Sequence, residues 1–429
     1  MQGQQLSTQN TSIRTRLNKL RNVGRKLTYN NRVRHCGLIV SSGDYAAIGR
    51  VGDRVGVRNV ISCGSIHECP HCRAKLCSER AVEIREAVFN HKQEYGKLYL
   101  LTLTIRHGLG DDLVVMRKKI SEAWRAVCQG KSWVQFKNEF GVSYIRGAEL
   151  THGKNGWHPH LHVLVFSKNP LKLNEAQQYL SSRWLSAIQR LLGDRHVPRR
   201  DQVGVNLVEA QDGEEYITKL GLEISQHPSK IAKQNGKSPL QILEDVVDKS
   251  DVNAKLWRYY TKSMKGSKVL TWSRGLKRLK NIADLTDEEI INKVDNLKMS
   301  SVYFLIDKIW WRKIASDGAV LGRWLDEIDR TGPFDSLNYL RSIERYQLLS
   351  RQLEQQLIGD DVDLIRDYEK WSYVDTKSVV VRIRDDETLR FLNRYRPRTG
   401  EHDLRKVSTI VKRISLLKYN KQPTKQLAV

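Results

Sequence analysis

The sequence predicts an α+β fold, and three observations carry that expectation. Between residues 97 and 224, stretches whose apolar side chains alternate with period two take turns with stretches of helical spacing. Two of the alternating stretches flank Asn155-Gly156, a strong hairpin signal. Beyond Thr286 helical spacing takes over, which predicts a mainly helical C-terminal region. The order of the central elements is β-α-β-β-α-β, the ferredoxin-like arrangement of an antiparallel sheet with helices on one face.

In chain order, residues 1–34 carry eight Lys or Arg and no acid. Such a segment is expected to be a mobile basic arm that meets a polyanion, through Arg14, Arg16, Lys19, Arg21, Arg25 and Lys26. A solvated tail that only aids solubility is the alternative. Residues 35–95 read as short strands and turns around cysteines, then a helix opening at Ser78 with Ala81, Ile84, Ala87 and Val88 on its apolar face. Residues 96–225 form the central domain. KLYLLTLTIRH (97–107) reads as a strand, DDLVVMRKKISEAWRAVC (111–128) as a helix, and VSYIRGAEL (142–150) and WHPHLHVLVF (157–166) as paired strands. LNEAQQYLSSRWLSAIQRLLG (173–193) is a helix, VGVNLVEA (203–210) a strand and EEYITKLGLEI (214–224) a short helix. Residues 226–332 are mixed and Lys-rich before turning helical, including SSVYFLIDKIWWRKI. After Gly332-Pro333, residues 333–429 show mixed helix and a strand-like SVVVRIR (378–384), with no role assigned.

The 429 residues hold 73 Lys and Arg against 48 Asp and Glu, a net charge of +25, so nucleic acid is the first partner expected, ahead of a membrane surface. At 40% hydrophobic residues packed cores form, which excludes a wholly disordered basic chain. No apolar run has the length of a membrane span and the N-terminus lacks a signal-peptide core, so a soluble, cytoplasmic protein is expected.

In a strand, residues two apart share a face, so His158, His160 and His162 project to one side while Leu161, Val163 and Val165 enter the core. Two imidazoles from His160 and His162, with Glu149 across the hairpin, make a ligand set for a divalent cation that keeps positions open for phosphate oxygens. His158 is the alternative third ligand, or a group orienting one. Zn, Mn, Co and Mg all accept such donors.

After the last strand of that domain comes EAQDGEEYITKLG. Asp212 and Glu215 have capping-box spacing, which starts a helix at Gly213 and puts Tyr216 and Lys219 on one face. A tyrosine beside a divalent metal suits a phosphoryl nucleophile whose product, a phosphotyrosine ester, conserves the cleaved bond's energy. Lys219 then offsets phosphate charge. Asp212 and Glu215 are either caps or activators of water. Leu220 stands where a second tyrosine would, against a two-tyrosine mechanism.

Cys63, Cys69 and Cys72, with Cys36 as the natural fourth thiolate, predict a closed structural zinc site, with Cys77, His35, His67 and His71 as competitors for the fourth place.

LLTLT, HPHLHVLV and YITKL, in that order, resemble the three motifs of rolling-circle replication initiators of the HUH endonucleases. CGSIHECPHCRAKLCSERA and VLTWSRGLK (269–277) are similar to stretches before and after those motifs in bacterial plasmid initiators. The resemblance spans about residues 30–330. It implies His160, His162 and Glu149 as ligands of Mn2+ or Mg2+ and Tyr216 as nucleophile. It implies a nick in single-stranded DNA at a plasmid origin, a 5′-phosphotyrosine link, a free 3′-hydroxyl primer and later rejoining of the displaced strand. Duplex origin DNA and a host helicase and polymerase are the implied partners. An HUH transposase or relaxase is the nearest rival, and a lone tyrosine C-terminal to the histidines speaks for an initiator. A non-catalytic RRM-like binder would put aromatics rather than histidines on the open sheet face. A zinc hydrolase lacks H-E-x-x-H.

Overall fold

The structure is a computed structural model that describes residues 12–199, 204–210, 236–247, 251–358, 372–376 and 379–383. Its chain divides into two compact units. The first takes Met1–Cys36, Ser62–Asp295 and Asp317–Arg323, the second Gly37–Ile61, Asn296–Ser316 and Trp324–Val429. Strands run in the order β1 (Tyr45–Val51), β2 (Arg54–Arg58), β3 (Lys97–Leu103), β4 (Ser143–Gly153), β5 (Gly156–Ser167), β6 (Val205–Glu209), β7 (Leu270–Trp272) and β8 (Ser301–Asp307). The first helices are α1 (Ile13–Leu27), α2 (Asn31–His35), α3 (Pro70–Gln93), α4 (Leu113–Val127), α5 (Lys131–Phe140) and α6 (Leu173–Leu192).

The first unit is organised by an antiparallel sheet in the order β6-β3-β5-β4-β7. β3 reaches β4 over α4 and α5, skipping β5, and β5 reaches β6 over α6, skipping β3. The β4–β5 hairpin is the one Asn155-Gly156 announces, with Gly153 paired to Gly156. Gly156 has φ +85°, a left-handed conformation that an L side chain rarely adopts.

Alternation explains both faces of the sheet. On one, Tyr99, Leu101 and Leu103 stand opposite Val165, Val163 and Leu161. They pack with Met116, Ile120 and Trp124 of α4 and Leu180, Trp184 and Ile188 of α6. The opposite face was expected to be free of helices. Instead Ile84, Ala87 and Val88 of α3 cover Leu98, Leu164 and Phe166. That apolar cover reaches Leu164; the three histidines lie beyond it on the same face. α3 also begins at Pro70 rather than Ser78, because Cys69 is extended and Pro70 takes the first helical turn, where its missing N–H costs nothing.

From Ser12 the basic segment is a packed helix, not a mobile arm. Ser12 Oγ accepts from Thr15 N at 3.1 Å and caps α1, and Leu17, Leu20 and Gly24 are buried at helical spacing. Composition hid this stripe, since the residues between it are Lys, Arg and Asn.

The second unit contains a sheet of order β2-β1-β8. The expected helix over SSVYFLID is the strand β8: Phe304 and Ile306 alternate into the core, opposite Ile48 and Ala46. Helix begins only at Lys308, where Asp307 Oδ1 accepts from Ile309 N at 2.7 Å. Trp324 packs on Phe304, ring centroids 5.3 Å apart, and donates Nε1–H to Ser336 Oγ at 3.2 Å. Val379–Ile383, expected as a strand, pairs antiparallel with Ser372–Thr376. No described helix is long and apolar enough to cross a membrane.

Candidate metal centres

β4 and β5 pair in a register that sets Glu149 directly opposite His160 and Gly147 opposite His162. Opposed side chains on one sheet face stand about 5 Å apart at Cβ. Glu149 therefore reaches both imidazoles with one oxygen: its Oε2 lies 2.8 Å from His160 Nε2 and 2.7 Å from His162 Nε2. The glycine at 147 leaves the space beside His162 without a competing side chain. From the other flank, Thr102 of β3 faces His162, its Oγ1 3.4 Å from Nδ1. The imidazole is thus held at Nδ1 while Nε2 points at the carboxylate, as orienting groups do for metal-ligating histidines. The three ligand atoms all lie within 4.8 Å of one another. His160 Nδ1 is buried without a partner among the described residues.

His158 is on the same face but outside this group. Its ring stacks on His107 at 4.5 Å and an interplanar angle of 13°. Burial, then the neighbouring His160 and His107, lowers its pKa to about 4, so the ring is neutral at physiological pH.

Four thiols meet between α2 and the start of α3. Cys36 Sγ lies 3.6 Å from the Sγ of both Cys72 and Cys69, and Cys63 Sγ lies 3.6 Å from that of Cys72. A disulfide needs about 2.05 Å. A tetrahedral zinc with bonds of about 2.3 Å separates its sulfurs by about 3.8 Å, so the donor set fits that ion. Hydrogen bonds from Cys63, Cys69 and Cys72 pull the Cys36 thiol well below its ordinary pKa, while hydrogen bonding to Cys36 and burial raise that of Cys69. Four buried thiols cannot all ionise without a cation among them. Two of the competitors, His67 and Cys77, stand outside this ligand group. His67 bonds to Tyr260 Oη at 3.3 Å and Ser267 O at 3.0 Å, and burial raises the separate Cys77 thiol to about 11.

Residues 55–306, more than half of the chain, match the replication protein family. The chain belongs to that family. A "Protein rep" of Streptomyces lividans is 25% identical over 293 residues, 52% of this chain and 64% of the relative. A "Protein rep" of Lentilactobacillus hilgardii is 27% identical over 185 residues, 42% and 57% of the two chains. A "Neomycin resistance protein" of Streptomyces cyanogenus is 30% identical over 132 residues, 25% and 30% of the two. The aligned part is less than two thirds of each relative's own length. No solved structure matches the chain.

Of the residues this replication-family sequence pointed to, the structure brings together Glu149, His160 and His162, and separately Cys36, Cys63, Cys69 and Cys72. Tyr216, Lys219, Asp212 and Glu215 lie outside the described residues. The basic set divides. Arg21 and Arg25 are only 7% exposed. Arg21 donates to Asn18 Oδ1 at 2.8 Å, and Arg25 donates Nε–H to Cys36 O at 3.2 Å. Arg16 pairs with Glu244. These three serve packing rather than an open DNA-binding surface, because the helix turns them inward or toward an acid. Arg14 and Lys19 are half-buried, and Lys26 is exposed. Thr102 and His107 were not singled out in the sequence. Their roles come from strand pairing and ring stacking, which nothing local to LLTLTIRH marks.

Proposed function

We propose that the chain initiates rolling-circle replication of a plasmid in the bacterial cytoplasm, nicking single-stranded DNA at the origin. The observation that carries this reading is Glu149 Oε2 within 2.8 Å of both histidine nitrogens on one face of the sheet. Membership in the replication protein family and the "Protein rep" relatives support it. The interleaved crossovers of β3 to β6 support reading this sheet as a ferredoxin-like domain. Glu149, His160 and His162 would hold Mn2+ or Mg2+, which when bound polarises the scissile phosphate.

The chain supplies the rest. Thr102 and the β4–β5 register fix the two imidazoles, and His158 stays a neighbour in the stack with His107. Tyr216 is the nucleophile. Its phenol loses a proton, the oxygen bonds to phosphorus, and the bond from phosphorus to the 3′ oxygen breaks. That oxygen takes up a proton and becomes the 3′-hydroxyl primer, while the 5′ side stays on tyrosine. Lys219 offsets phosphate charge, and Asp212 or Glu215 is the candidate to activate water at termination. The four cysteines hold a structural zinc. Duplex origin DNA, a host helicase and a polymerase complete the partners.

The test is an origin oligonucleotide incubated with the full chain and Mn2+ or Mg2+. A covalent adduct that maps to Tyr216 and disappears in Tyr216→Phe is expected. An adduct that persists in that variant places the nucleophile elsewhere.

A further inference from the structure

A second feature of the first unit has no part in the chemistry above. It is a cleft of about 890 Å³ at the outer edge of the sheet, lined by β7 and the segment that follows it. β7 pairs Trp272 with Ile145 and Leu270 with Gly147. Gly147 is also the partner of His162. Leu270 and Trp272 therefore stand on the histidine face, one strand outward from Glu149. Strand spacing of about 4.8 Å and a two-residue step of about 6.8 Å set the scale of that separation.

The lining holds five cations, Arg80, Lys268, Arg274, Lys277 and Arg278, against two acids, Asp284 and Asp287. The acids are already engaged. Arg80 donates to Asp287 Oδ1 at 2.8 Å, and Lys277 lies 3.2 Å from Asp284 and 3.4 Å from Glu83. Lys277 is 9% exposed and sits over the Trp272 ring at 5.3 Å. Lys268, Arg274 and Arg278 are exposed, and their side chains have no partner among the described residues. Gly275, at φ +81°, turns the chain between Arg274 and the helical turn Leu276–Leu279, which carries Arg278 on the same rim. Trp272 Nε1 is buried without a partner among the described residues. Arg80 and Lys277 thus neutralise the local acids, and three further cations face a concave apolar floor.

We propose that this cleft holds a few nucleotides of single-stranded DNA by their phosphates, beside the histidine triad. The volume is on the scale of small-ligand sites, about 300–1,000 Å³, which admits a flexible strand and not a duplex. Unpaired arginines over an aromatic floor are the materials of single-strand grooves. The identity of the polymer rests on the function proposed above; the site does not.

The experiment is fluorescence anisotropy of the full chain on a single strand of about 20 nucleotides unrelated to any origin, without added divalent cation, over a range of salt. Arg274→Ala/Arg278→Ala should weaken binding about tenfold near 0.1 M salt and reduce the slope of log affinity on log salt by about 1.4, or about 0.7 for each phosphate no longer neutralised. Arg274→Lys/Arg278→Lys keeps both charges and should restore most of the slope. Zinc content equal to wild type checks the fold. Unchanged affinity and slope in the Ala pair overturn the proposal, as does an equal loss on duplex of the same sequence. ATP binding that the Ala pair loses while oligonucleotide binding is untouched also overturns it, marking a nucleotide site. A wild type that shows the cleft's salt dependence but forms no covalent adduct supports the cleft and sinks only the nicking reading.

Discussion

The thiol cluster and the histidine triad stand in the same unit and are built on opposite plans. Cys36, Cys63, Cys69 and Cys72 come from three separate stretches of chain and are 2, 6, 2 and 1% exposed. Four soft donors in a closed pocket saturate a tetrahedral ion and leave it no chemistry, so binding there is folding energy. Glu149, His160 and His162 come from one hairpin, keep 12, 13 and 11% of their side chains exposed, and offer three donors. A three-donor set keeps positions free for a substrate oxygen. The sheet that carries the triad is held by its own apolar layers, so its fold does not wait for an ion. The first arrangement suits an ion that holds the fold, the second an ion that meets a substrate.

That contrast is most easily broken at Cys72. Cys72→Ser should abolish zinc binding, measured as metal per chain, and expose α2 and the start of α3 to protease. The free energy at stake is on the order of 10 kcal/mol. A variant that stays protected without zinc would remove the fold-holding ion from the comparison. The next largest effect is at the triad. His162→Ala should lower divalent-cation affinity at least about a hundredfold and stop adduct formation while thermal unfolding shifts only a few degrees. Glu149→Ala should cost more cation affinity than His158→Ala, and calorimetry showing the reverse ranking would exchange their roles.

Arg25 sharpens the picture of the thiol cluster. Its guanidinium bonds to the Cys36 carbonyl in the interior, so Arg25→Ala should cost about 2 kcal/mol in urea unfolding. Its exposed neighbour Lys26 should cost no more than about 0.5 kcal/mol on the same change. Equal and small effects would return α1 to the status of a solvated arm. A smaller effect than that at Arg25 belongs to Thr102→Val, which removes the oxygen 3.4 Å from His162 Nδ1. About a tenfold loss of cation affinity is expected with stability unchanged, read by cation titration.

Local rules made much of this readable in advance. His160 and His162 share a face because strand side chains alternate, and Asn155-Gly156 marks the hairpin that brings Glu149 across, both within about a dozen residues. α4 and α6 announced themselves by helical spacing, and the structure adds the Asp112 cap that starts α4. The same local reading failed where two signals overlapped. SSVYFLIDKIWWRKI holds a strand and a helix end to end, and only pairing with β1 separates them. In residues 1–34 the charge count outweighed a sparse apolar stripe.

By itself, then, the sequence determined which donors exist and which of them share a strand or a turn, because those relations depend on spacing of a few residues. Tertiary structure decided what depends on distant partners. Cys36 joins thiols 27 or more residues away, Thr102 meets His162 across β3 and β5, and Arg25 is spent on a carbonyl instead of a phosphate. α3 covers Leu164 and Phe166, and the histidines are not part of that apolar cluster. No local pattern encodes where one element ends over another, since that is set by how the layers pack.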